Sequence, residues 1–319
     1  MIVALAGGVG GARLAVGLAA LLPPGRLTIV VNTGDDFEHF GLTVCPDLDT
    51  VMYTLAGLEN PATGWGRADE TWSFMATLGE LGGETWFKLG DRDLAVHVQR
   101  SDALRRGCSL SDVTGDLAGR FNVRHAIVPM SDHAVRTFVR TDQGELPFQD
   151  YFVRRKCEPR VTGFRFAGSE TARVPPRLRA LLDSGAVTAV VVCPSNPYVS
   201  VAPLLSVREI RDWLERRRFP VVAVSPIVGG EAVKGPAAKM MRELGVQPSA
   251  AAVAKHYGAL VDAWVIDTRD AGCAPDIQAL GMKTAVTDTL MTSRARSTEL
   301  ASDVLALAAR LGNATDAMI

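Results

Sequence analysis

Four aspartates crowd the stretch NTGDDFEHFGLTVCPDLDT: Asp35, Asp36, Asp47 and Asp49. Hard oxygen donors of this kind suit magnesium, which takes one or two protein carboxylates and fills its shell with water and substrate phosphate. Asp47 and Asp49 stand two apart, so they share a face only where the chain is extended. Pro46 favours that, with a helix capped by Asp49 or Thr50 starting just after. Capping and an Asx turn account for one of these acids; four in one loop point to a metal. A second group lies upstream, in AGGVGGARL, where Gly7, Gly8, Gly10 and Gly11 precede Arg13. Glycine lets main chain approach a ligand and take positive φ. A strand, a Gly-rich turn and a helix together present N–H groups and a helix dipole to an anion. Acids beside such a cradle are the makings of a metal–diphosphate site.

Further motifs fall at similar places. WFKLGDRDLA gathers Lys88, Asp91, Arg92 and Asp93 around Gly90. It reads either as a charged turn capping a helix from 92, or as a loop whose cation, Lys88 or Arg92, meets a phosphate or ring oxygen. Pro194-Ser195-Asn196-Pro197 closes an apolar run, and its short polar side chains suit a phosphate or a purine edge. Lys234 follows Gly229-Gly230 in VSPIVGGEAVKGPAAKMM, which taken alone reads as a connecting loop with Pro236 opening the next helix. Other chemistries lack their signatures. The five histidines have no metal-ligand spacing, the five cysteines form no C-x-x-C, and there is no G-x-S-x-G or G-K-[ST]. A dinucleotide fingerprint fails at its third glycine, where Arg13 stands, and no Y-x-x-x-K supports hydride transfer.

Elements that would position these residues are legible in the pattern. The chain has 319 residues, 47% of them hydrophobic, and a net charge of −1. That is enough for a large core and excludes a broad basic footprint for nucleic acid. No apolar run nears the ~20 residues of a membrane span, and the N-terminus reads as a strand and not a signal peptide. Scattered thiols fit a reducing cytoplasm. Val/Ile/Ala runs at 2–6, 27–32, 187–193, 220–225 and 263–267 read as buried parallel strands, with helices over 12–22, 206–218 and 236–244. The alternation predicts a doubly wound, mostly parallel Rossmann-like α/β sheet with ligands beyond the strands' carboxyl ends. Residues 50–120 show helical periods around Trp65, Trp72 and Trp86. Residues 134–168 alternate, with Gly144 and Gly163 as turns, and predict an antiparallel meander. The expected layout is one catalytic unit: a core of 1–49, 120–133 and 175–319, a helical insertion at 50–119 and a β meander at 134–174.

Eight motifs appear in order over nearly the whole chain: AGGVGGARL, VVNTGDD, CPDLDTVMYTL, ETW, GDRDLA, PMSD, PSNPYVS and VSPIVGGEAVKGPA. Together they resemble the 2-phospho-L-lactate transferase family of deazaflavin coenzyme F-420 biosynthesis. The resemblance implies transfer of a phospho-organic acid, phospholactyl or enolpyruvyl phosphate, from a GDP-activated donor to the ribityl hydroxyl of the deazaflavin Fo. GMP leaves and magnesium is required. It implies that Asp49 and Lys88 bind Fo, although the family often has Arg or a small residue at the latter position. Thr50, Trp72 and Arg92 are candidates for the same subsite. Asp36, Asp47 and Asp49 would lie near the metal. Gly7, Gly8, Gly10, Gly11 and Arg13, with Ser195, Asn196 and Pro197, would hold the nucleotide. Asp49 and Asp47 are the candidate catalytic carboxylates. A related group of regulators, which binds a uridine nucleotide-sugar without turning it over, shares the Gly-rich opening and the Asp pair; PDLDT, GDRDLA and the PSNP-aromatic stretch favour the transferase. No residue selects among lactate, enolpyruvate and glycerate. A cytoplasmic homodimer is the base-rate expectation.

Overall fold

Seven short runs form one parallel sheet in the structure, a computed structural model that describes residues 1–316, with side chains to 312. They are β1 (Ile2–Ala6), β2 (Leu27–Val31), β3 (Ala126–Pro129), β4 (Ala189–Val192), β5 (Val221–Val224), β6 (Ala263–Asp267) and β7 (Lys283–Thr287). Their order is β3-β2-β1-β4-β5-β6-β7, with every pairing parallel. Helices cover both faces, so alternate residues of one strand enter different cores. Val3 and Leu5 pack with Val190 and Val192 on one side, and Ala4 and Ala6 with Val191 and Val224 on the other. The five predicted strands are all present. The two that the pattern does not reveal, β3 and β7, are the sheet's edges. An edge strand is covered less completely, and β7 carries Lys283 and exposed Val286 where an inner strand would carry buried apolar residues.

The order reverses at β1, which lies between β2 and β4. Ligands of doubly wound sheets bind at such a reversal, beyond the carboxyl ends of the strands. Helix α1 (Gly8–Leu21) follows β1 after the single residue Gly7. The glycine cluster is therefore the helix's own first turn and not a loop before a helix at 12. The C-terminal helix Arg294–Asp316 packs against α1. A Cβ on Gly17 would lie 2.0 Å from the Ser297 carbonyl oxygen, so bare main chain is what lets the two helices approach.

Between β2 and α2 (Pro46–Ala56) runs a hairpin, Phe37–His39 with Leu42–Val44, turned by Phe40 and Gly41 at positive φ. It returns the chain so that the start of α2 meets the end of β2. Leu48, Val51 and Met52 bury α2 in the core, so the expected division at 49/50 falls inside a core helix. Helices α3 (Ser73–Glu80), α4 (Asp91–Arg105) and α5 (Leu110–Arg120) follow before β3. The helix predicted over 206–218 is broken at Val207 into Ala202–Ser206 and Arg208–Glu215.

The second sheet has strands Arg136–Thr141, Gly144–Pro147 and Val161–Ala167, antiparallel, with the first in the middle. It is not a sequential meander. FQDYFVRRK, read as a strand, contains the π-helical turn Asp150–Arg154. Its Phe148 and Tyr151 are buried three apart, a helical spacing. Gly163 is paired with Arg140 inside a strand and makes no turn. Among the described residues no helix is long and apolar enough to cross a membrane.

Candidate active site

The bare turn between β1 and α1 is fastened from two sides. Gly7 N–H donates to Ser195 Oγ (3.1 Å), and that hydroxyl donates to the Gly7 carbonyl (2.8 Å). Gly8, at φ +62°, turns its N–H onto Asp47 Oδ1 at 2.7 Å. A Cβ on Gly10 would lie 2.2 Å from the Pro194 carbonyl oxygen, and one on Gly11 would press on Ala6 and Ser195. Two physical needs thus share this cluster: conformation at Gly8, and close passage of α1 over the β4 turn at Gly10 and Gly11. Gly7, Gly8 and Gly10 line a cavity of about 590 Å³ at the switch point, together with Ser195 and Asn196.

Two acids form the cavity floor. Asn32, at the end of β2, donates from Nδ2 to Asp35 Oδ1 and to Asp47 Oδ2, each at 2.9 Å. Both carboxylates line the cavity and are buried. Burial pushes Asp47 up to about 6. Burial, then the negative charges of Asp47 and Asp36, raises Asp35 well above the ordinary carboxylate range. Their direct partners are N–H groups and not cations, and each oxygen keeps a free lone pair. A pair of buried acids lacking a counter-charge is a donor set that fits a divalent cation.

Asp36 is placed otherwise than expected. The chain turns here, the Asp36 N–H donating to the Thr33 carbonyl (3.3 Å), and Asp35 enters the cavity while Asp36 does not line it. The Asp36 side chain bonds Cys45, its Oδ1 is buried without a partner, and burial raises it to about 7.

Asp47 and Asp49 do not share a face either. Pro46 opens α2 as its first residue, with Cys45 as N-cap, so the chain is already helical at both acids. Two positions on a helix diverge by about 200°. Asp49 meets Arg100 of α4, which is 1% exposed. Arg100 NH1 donates to Asp49 Oδ2 at 3.1 Å and NH2 to Oδ1, a two-pronged ion pair. The same NH1 reaches the Thr43 carbonyl (3.3 Å) and His97 Nδ1 (3.2 Å). Guanidinium only donates, so His97 Nδ1 accepts and the imidazole proton sits on Nε2. That Nε2 stands 3.4 Å from Asp93 Oδ2, and the Tyr53 hydroxyl donates to Asp93 Oδ1 at 2.6 Å. Asp49, Asp93 and His97 offer atoms within 4.8 Å of one another. A guanidinium among them and a protonated Nε2 make that cluster an ion-pair network and a poor cation site.

Aromatic side chains form a wall of the same cavity: Trp65, Trp86, Phe87, Phe148 and Phe152, with Tyr53. Phe148 and Phe152 stack at 5.3 Å, and Trp86 sets its edge to Phe87 at 5.7 Å. Thr50 and Lys88 also line the cavity. The stretch reads as an alternating strand in the sequence, and only the π-helical turn brings Phe152 in beside Phe148, so neither ring is among the residues the sequence singles out. Lys234 Nζ donates to the Thr63 carbonyl at 2.6 Å, tying the Gly229–Gly235 turn to the loop that bears Trp65.

Besides Asp36, five predicted residues lie outside the cavity lining: Gly11, packed on Ala6 and Ser195, and four more. Trp72 is the N-cap residue of α3 and 46% exposed. Arg92 is on the capped start of α4: Glu70 Oε2 accepts its N–H (2.7 Å) and Oε1 that of Asp93 (2.8 Å). The ETW and GDRDLA motifs are thus two halves of one helix cap, with Gly90 bare to admit the Glu70 carboxylate. Arg13 leaves the other side of α1, its guanidinium on the Met291 carbonyl at 2.8 Å. Pro197 is buried as the first residue of a π-helical turn.

A family model described as 2-phospho-L-lactate transferase CofD matches residues 2–302. A phosphoenolpyruvate transferase of Kitasatospora aureofaciens is 45% identical over 96% of this chain and 97% of its own. A 2-phospho-L-lactate transferase of Methanosarcina mazei is 38% identical over 94% and 97%. The fold is shared with a crystal structure of a UPF0052 family protein from Bacillus halodurans, at a TM-score of 0.62, 13% identity, and coverage of 95% of this chain and 98% of that one.

Proposed function

Since the chain belongs to the 2-phospho-L-lactate transferase CofD family, and is a phosphoenolpyruvate/phospholactate transferase by that membership, we propose the two substrates its cavity receives. The donor is a phospho-organic acid activated as a guanosine diphosphate ester, and the acceptor is the deazaflavin Fo. One observation carries this reading: a single cavity is lined both by bare main chain and carboxylates with no cation in direct contact, and by the rings of Trp65, Trp86, Phe87, Phe148 and Phe152. The bare turn suits a diphosphate at a helix N-terminus. The rings suit a flat, fused-ring ligand.

Asp47 and Asp35 are the residues that would hold magnesium; the ion would neutralise the diphosphate and stabilise the departing phosphate. Asp49 accepts a hydrogen bond from the attacking ribityl hydroxyl, and is the carboxylate in place to receive its proton. The hydroxyl oxygen bonds to the phosphorus that bears the acid, the bond from that phosphorus to the bridging oxygen breaks, and GMP leaves. Asn32 and the Gly8 N–H fix Asp47, so the charged floor needs little rearrangement as the reaction proceeds.

The test is incubation with Fo, magnesium and each of the lactyl, enolpyruvyl and glyceryl donors, followed by mass spectrometry of the deazaflavin. The expected product is Fo enlarged by the phospho-acid, with GMP released. No modified Fo from any donor, together with thermal stabilisation by a uridine diphosphate sugar and none by GDP, would show a nucleotide-sugar-binding regulator instead.

A further inference from the structure

Asp49 lines the cavity, but the residue that holds it does not. Arg100 stands outside the lining and grips both carboxylate oxygens. Its two terminal nitrogens are held, while Nε is buried with no hydrogen-bond partner. The Thr43 carbonyl and His97 Nδ1 accept from NH1. The Ser101 hydroxyl donates to the His97 carbonyl (2.7 Å) and accepts the Thr43 N–H (2.7 Å). Asp93, steadied by Tyr53, faces His97 Nε2. Three separate elements are therefore fastened around one carboxylate: the hairpin strand Leu42–Val44, α2 and α4.

We propose that Arg100, seated by His97, is a positioning residue for the transfer reaction: its two-pronged grip sets the plane of the Asp49 carboxylate, so that the remaining lone pairs meet a hydroxyl of the acceptor substrate. A carboxylate buried this deeply, with Asp93 nearby, is costly as an anion without a cation against it. Lysine would supply the charge as a point, without the planar fork that fixes the direction of both oxygens. His97 contributes geometry: as an acceptor on one face and a donor on the other, it stops the guanidinium from turning toward Asp93. This inference rests on the reading that Asp49 meets the deazaflavin's hydroxyl, and it makes the acceptor side of the reaction sensitive to residues that touch neither substrate.

The test uses Arg100→Lys, His97→Ala and His97→Asn in the full chain, with Fo and the preferred donor varied separately. Misplacing a reacting group by an ångström costs about 100-fold in rate. The expectation for Arg100→Lys and His97→Ala is a fall of that order in kcat/KM for Fo, while KM for the donor and GDP affinity stay within about 3-fold. His97→Asn, whose amide oxygen takes the place of Nδ1 as acceptor, should recover most of the loss. A merely structural role would lower the folded fraction and spare this split between substrates. Should Arg100→Lys fail to fold, the His97 pair decides the matter by the same measurements. Wild-type kcat/KM for Fo in the folded variants, or equal losses on donor and acceptor, overturns the inference. A wild-type protein that leaves Fo unmodified with every donor sinks the functional reading first, so the two failures are told apart.

Discussion

Asp35 and Asp36 are neighbours in the chain with opposite fates: one on the cavity floor beside Asn32, the other sealed against Cys45. Two predictions follow from the acids. Asp36 has a native-state value of about 7 against 3.8 ordinarily. The native state therefore keeps a proton that the unfolded chain loses between those values, so stability falls as pH rises through the window and is level above it. Asn cannot ionise. Asp36→Asn should gain on wild type as pH rises from about 4 to about 7, by on the order of 2 kcal/mol, with turnover retained. Urea unfolding at both ends of the range checks this; a variant that loses turnover and gains nothing in stability would return Asp36 to the metal. Asp49→Asn keeps the shape but not the charge. It should lower turnover by roughly 1000-fold while GDP affinity stays within about 3-fold, as read by steady-state kinetics and calorimetry. Unchanged turnover would remove Asp49 from the chemistry.

Helix α1 shows how one element carries two kinds of glycine. Gly10 clears the Pro194 carbonyl beside the cavity, and Gly17, two turns further along the same face, clears the Ser297 carbonyl. Both would meet backbone atoms that cannot swing aside. Gly17→Ala should cost about 2 kcal/mol of stability with kcat retained in the folded protein. Gly10→Ala should lower nucleotide affinity as well, because the strained atoms border the site. Comparing the variants by chemical denaturation and GDP titration separates the effects; equal GDP affinity in both would make the whole cluster a packing device. The strength of the sequence signal also varies by element. Inner strands such as β4 are uniformly apolar, whereas β7 (KTAVT) is polar and largely exposed, and β3, though apolar, is only the four residues AIVP. The turn at Asp150–Arg154 misleads for a related reason: a single π-helical turn is too short to establish a period.

At the scale of the molecule, the cavity gathers residues from the β1–α1 turn, α2, the loop around Trp65, α4, the second sheet and the β4 turn. Filling it should stabilise the whole chain. Donor nucleotide at about 100 times its dissociation constant should add about 2.7 kcal/mol, visible as a raised Tm that magnesium increases further. In Asp47→Asn the magnesium increment should vanish, and an undiminished increment would place the ion elsewhere. Local pattern was enough to establish the Rossmann-like core, the Gly-rich opening and the importance of the acids, because periodicity, glycine content and charge are written residue by residue. It could not decide which of two adjacent aspartates faces inward, that Glu70 caps α4 from twenty residues away, that Arg100 would be the partner of Asp49, or that Phe148 and Phe152 join the wall. Those outcomes depend on the angle at which separate elements meet, and that angle is settled only when the two cores close on either side of the sheet.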